Sequence, residues 1–146
     1  MKIQLLSGTT FLEDLHLLIY RPHGALGEEE IERVVEMLDK LEKEAHHPFD
    51  RYTDLTRLDS FDLSYSFIFR ISLHRRLAYK DFPPVKSAFH VTSPAVTELM
   101  ETHVLLTSHS PLVVKMFRNP AAAAEWLGVS LNYLELPERI APPIGG

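Results

Sequence analysis

Apolar residues return at helical spacing from Ile31 through Val34, Val35, Leu38 and Leu41 to Ala45, which makes this stretch the most secure element of the chain. Three carboxylates, Glu28 to Glu30, follow Gly27 at its start, where the helix dipole favours negative charge. Glu36–Lys40 and Asp39–Lys43 form i,i+4 pairs on the outer face, so the acids read as a solvated surface. His46-His47-Pro48 closes the helix. Upstream, Ile3 and Leu5 alternate with Lys2 and Gln4, Ser7 to Thr10 is a turn signal, and Leu15 to Tyr20 is rich in strand formers. This predicts a hairpin, stopped by Pro22-His23-Gly24.

Downstream, Arg51 to Thr56 reads as a strand ending in a polar turn, and Asp59, Ser60, Asp62 and Ser64 favour turns and caps. From Phe61 to His74 apolar and polar residues alternate, which taken alone is a strand pattern. Connectivity opposes it. Val85 to Val91 is a convincing strand, and two parallel strands need a crossover of about a dozen residues or more, usually a helix. A helix from about Asp62 to Tyr79 is therefore predicted. Ser93-Pro94 and Asn119-Pro120 are N-cap and first-turn signals, Leu112 to Phe117 is a short apolar strand, and Gly128 stands where a C-cap belongs. The expected domain covers residues 1–128, with 129–146 as an extended C-terminal tail.

Composition narrows the function classes. A chain of 146 residues with 45% hydrophobic content is the size of one domain with one core. No apolar run reaches the roughly 18 residues of a membrane span and the N-terminus lacks a signal-peptide pattern, so a cytoplasmic location is expected. The absence of cysteine removes disulfides, thiolate ligands and thiol nucleophiles. A net charge of -5 without a basic stripe argues against nucleic acid as a partner. The histidines show no metal-ligand spacing, and neither a phosphate loop nor a nucleophile elbow is present. No catalytic residue, metal or cofactor is expected.

The strand end Asp54-Leu55-Thr56, followed by Asp62-Leu63-Ser64 at a helix start, resembles the centre of STAS domains and the SpoIIAA-like family. There the strand ends Asp-Leu-Ser and the helix opens Asp-Ser-Ser-Gly, with Leu63 here at the first Ser and Tyr65 at the Gly. The stretch Val113 to Leu127, a strand followed by a helix closing in Ala-x-x-Trp-Leu, is similar to the family's terminal signature. The resemblance implies an α/β fold with a mixed sheet of about five strands and about four helices packed mainly on one side. It also implies a non-enzymatic protein, either a regulatory protein partner or, through a likeness to CRAL-TRIO lipid-transfer domains, a binder of small apolar ligands or membranes. Ser64 then occupies the position of the phosphorylated serine in STAS switch proteins.

The helix after Asp62 carries apolar residues almost around its axis, more than one sheet face can cover. The expected consequence is an apolar groove shared with the helix after Ser93 and lined by Tyr65, Ile68, Phe69, Ser72, Arg76 and His103. A small apolar or lipid-like ligand would occupy it, with Arg70, Arg75 and Arg76 available to an anionic head group. Transient membrane contact, a homodimer seam on the same face, or cover by the tail after Gly128 are the competing uses of that surface.

Overall fold

In the computed structural model, which describes residues 5–135, a five-stranded mixed sheet runs in the order β1-β2-β4-β6-β7. Its strands are β1 (Thr9–Leu12), β2 (Leu17–Tyr20), β4 (Asp50–Asp54), β6 (Val85–His90) and β7 (Leu112–Phe117). Only β1 is antiparallel to its neighbour; the other pairings are parallel. Parallel pairing requires crossovers, which are supplied by α1 (Glu28–Ala45), α2 (Tyr65–Ala78) and α3 (Pro94–Thr107). These three helices cover one face of the sheet. The other face is covered by α4 (Pro120–Leu127) and the short α5 (Leu131–Leu134), which bury Leu17, Ile19, Tyr52 and Ala88 under Ala123, Ala124, Leu127 and Leu134.

Local chemistry sets most helix ends. Ser93 accepts from the Val96 N–H and Asn119 from the Ala122 N–H, each with proline following, and Gly128 takes the left-handed C-cap conformation. His46 caps α1 in the same left-handed region, at φ 61°. α1 buries Val34, Met37, Leu38 and Leu41 on the stripe predicted from periodicity.

Four expectations are corrected. The first strand of the hairpin is Thr9–Leu12, so residues read as its turn are strand, and a 3-10 turn at Glu13–Leu15 makes the connection; Ile3 lies outside the described residues. β2 ends at Tyr20, ahead of Pro22-His23-Gly24 as expected, but a strand follows at once where none was read: β3 (Gly24–Gly27) pairs in parallel with β5 (Leu58–Asp62), forming a second, two-stranded sheet from stretches read as turns. The alternating segment is helical, but it starts at Tyr65 with Ser64 as N-cap rather than near Asp62. The tail after Gly128 opens with α5, whose Leu134 is buried, instead of an extended arm; residues 136–146 lie outside the described residues.

Candidate functional site

Between the sheet and the helices α1, α2 and α3 lies a cavity of about 110 Å³. Its floor comes from alternate inward positions of two paired strands, Arg51 beside Ser87 and Thr53 beside Phe89. Arg51 to Leu55 spans four residues of extended chain, so the floor is about 13 Å long. At the far end Tyr20, Leu26, Leu55 and Phe61 close the space, and Leu26 and Phe61 belong to the small sheet. Walls are Val34, Val35 and Leu38 of α1, Ile68 and Ile71 of α2, and Met100 and His103 of α3. The near end is cationic, with Arg51 and Arg75.

These two arginines are interior residues, which is unusual enough to need compensation. The Tyr79 hydroxyl accepts from both guanidinium groups and donates to Glu42. Arg75 also bonds Asp39 at 2.6 Å and Glu42 at 3.3 Å, and Arg51 reaches Glu42 at 3.4 Å. Glu42 is nearly as buried as its partners, while Asp39 is 44% exposed. The fully interior part of the cluster thus holds two cations against one carboxylate. Burial works against the charge of Arg51, but Tyr79 and Glu42 outweigh it and raise its pKa. Arg51 Nε is buried without a hydrogen-bond partner.

His103 stands beside this pair. Its Nδ1 is 2.7 Å from the Ser72 hydroxyl and its ring meets Phe89 edge-on at 5.7 Å. Burial first, then Arg75 and Arg51, lower its pKa to about 4, so the ring is neutral at ordinary pH. A Ser–His contact is one component of nucleophilic catalysis, but such chemistry needs a basic imidazole. Here burial, and after it the flanking cations, make it a weak base.

The six groove residues predicted from sequence do not share one surface. Ile68, Ser72 and His103 point into the interior, where Ile68 and His103 line the cavity. Tyr65 and Phe69 are each 52% exposed, on the outside of α2. Arg76 is committed to the Leu106 and Ser108 carbonyls at 3.1 and 3.2 Å, where a cation suits the end of α3. Arg70 pairs with Glu32 at 3.1 Å. Ser64 is exposed, and its hydroxyl accepts from the Phe67 N–H at 3.1 Å. Among the described residues no group of three or more metal-ligating side chains is placed to hold an ion, and no helix is long and apolar enough to cross a membrane.

The expected groove did not include Arg51 or its partners Glu42 and Tyr79. A signal existed: Arg51 falls at an inward position of β4, opposite in sense to Tyr52, and a charge at an inward strand position must be paired.

The sequence matches no family profile and no curated protein. The structure is similar to the crystal structure of an uncharacterized protein of the DUF3478 family with a SpoIIAA-like fold from Shewanella loihica PV-4. The TM-score is 0.50 with 22% sequence identity, covering 87% of this chain and 98% of that one. The chain therefore has the SpoIIAA-like fold. At that identity the likeness speaks for the fold alone, and function has to be argued from the site.

Proposed function

We propose that this protein is a non-enzymatic binding protein that holds a small acid, with its short apolar body in the cavity and its carboxylate at Arg51. The observation that carries this is the placing of two buried guanidiniums, Arg51 and Arg75, at one end of an otherwise largely apolar space. Arg75 holds Asp39 at 2.6 Å and Glu42 at 3.3 Å, which leaves Arg51 only the 3.4 Å reach to Glu42, and this less compensated guanidinium favours an anion over a neutral head group. Volume limits the body: an apolar cavity of about 150 Å³ holds benzene, so this one suits a chain of a few carbons.

The test is calorimetry and thermal melting with butyrate and 1-butanol. Butyrate is expected to bind and to raise the melting temperature, 1-butanol to do so less, and Arg51→Met to abolish the difference between them. Equal effects of acid and alcohol, or no effect of either, would contradict the proposal.

A second reading, a regulatory module or homodimer, is favoured by a different observation. Tyr65, Phe69, Leu73 and Leu77 repeat every fourth residue along α2 and are all exposed. Solution mass between micromolar and high micromolar concentration tests it: a concentration-dependent dimer broken by Phe69→Ser supports a seam, and a monomer throughout leaves a heterologous partner as the only form of this reading. In that form Ser64, exposed at the start of the same helix, is the residue a modifying enzyme would reach.

A further inference from the structure

Val35 of α1 and Ile71 of α2 line the interior cavity and also a surface groove of about 280 Å³ between the same two helices. These two side chains are the partition between the cavity and that groove. The other walls are firmer. The floor is a hydrogen-bonded sheet, α2 packs closely along α3, and the far end is plugged by Leu26 and Phe61 of the small sheet. The backbones of α1 and α2, by contrast, stand apart and meet through long side chains.

Those side chains divide the seam into two unequal parts. On one side of the partition, Arg75 binds Asp39 and Glu42 while itself 3% exposed, and Tyr79 joins the cluster. On the other, Arg70 and Glu32 are paired at 3.1 Å but are 64% and 50% exposed. An exposed pair contributes little and exchanges readily with water, whereas a buried, multiply bonded one resists separation. One end of the seam is therefore a hinge and the other a latch.

We propose that ligands reach the cavity through the α1–α2 seam, passing between Val35 and Ile71 when the Arg70–Glu32 pair opens. This rests on the cavity being a ligand site, as proposed above. The passage is apolar at its narrowest point and leads toward Arg75 and Arg51, so an acid can shed water from its chain before its carboxylate meets the cations.

The chain has no cysteine, so a Glu32→Cys, Arg70→Cys variant of the full-length protein can be bridged uniquely, after folding, by a short cleavable bismaleimide. Butyrate is the probe, and its exchange is read from amide NMR line shapes. Bridging is expected to slow association and dissociation by about tenfold or more with little change in Kd, since the cavity itself is untouched, and cleavage of the linker should restore both rates. Ile71→Ala, which thins the partition, is expected to speed both. Unchanged exchange in the bridged protein would overturn the seam as entrance while leaving the cavity as binding site. Failure of butyrate to bind the unbridged protein would overturn the cavity proposal, and the entrance with it.

Discussion

The Ser72 hydroxyl and His103 Nδ1 lie 2.7 Å apart in the interior and tie the middle of α2 to the second half of α3. Both residues are buried, and the neutral ring is the only form this site accommodates easily. In the unfolded chain the imidazole takes up a proton near pH 6.5, whereas burial, Arg75 and Arg51 delay this to about 4 in the folded protein. Between those values the unfolded state binds the extra proton. The contribution of His103 is therefore fully present above about pH 6.5, falls as the pH drops toward 4 and levels off below, by at most on the order of 3 kcal/mol. Urea midpoints of wild type and His103→Gln, measured at pH 7, 5.5 and 4.5, check it: the wild type should lose more stability than the variant across this range, and parallel losses would remove the assignment.

Glu42 and Tyr79 do different work in the same cluster. Tyr79→Phe removes a hydroxyl bonded to both arginines and to Glu42, and is expected to cost about 1–3 kcal/mol by chemical denaturation. Glu42→Gln keeps the shape but removes the carboxylate that compensates two buried guanidiniums, with an expected cost of about 3–5 kcal/mol. The same change should tighten butyrate binding, because a ligand carboxylate then supplies the missing charge. Calorimetry showing weaker binding to Glu42→Gln would place the head group away from this cluster.

Ile68 and Phe69 are neighbours in sequence with opposite environments, 6% and 52% exposed. Ile68→Ala is expected to destabilise by about 2–5 kcal/mol through lost burial and a residual cavity. Phe69→Ser should stay within about 0.5 kcal/mol in a monomer. A large loss for Phe69→Ser in denaturation experiments at high protein concentration, absent on dilution, would show that another copy covers it.

Ser64 caps α2 through its bond from the Phe67 N–H. Ser64→Ala should cost about 1 kcal/mol, while Ser64→Asp retains a capping oxygen and should be close to neutral. Thermal melts of the two variants decide between this and a serine with no structural part, for which both substitutions would be silent.

Much of the framework is written locally. Ser93-Pro94, Asn119-Pro120 and Gly128 set helix ends through hydrogen bonds spanning three or four residues, so α3, β7 and α4 follow from sequence. The amphipathic stripe of α1 is local in the same sense. The resemblance carried by Asp54-Leu55-Thr56 and by Val113 to Leu127 pointed to the fold that the structure has. Even the alternation from Phe61 to His74 could be set aside, because parallel strands on either side demand a crossover.

What the sequence could not supply is everything that depends on a distant partner. β3 and β5 are short and lack clear alternation, and each is a strand only because the other lies beside it, more than 30 residues away. The outward turn of Tyr65 and Phe69 and the inward turn of Ser72 and Arg75 were decided by how α2 leans on α3, since a helix apolar on many sides has no face of its own to prefer. Charged residues at interior positions are legible only through their compensation, and Arg51, Arg75, Glu42 and Tyr79 come from β4, α2, α1 and the end of α2. Periodicity and caps determined which elements this chain makes; the tertiary packing alone determined that two arginines, a neutral histidine and an apolar cavity would share one interior, because burial is a property of the assembled layers and of no single segment.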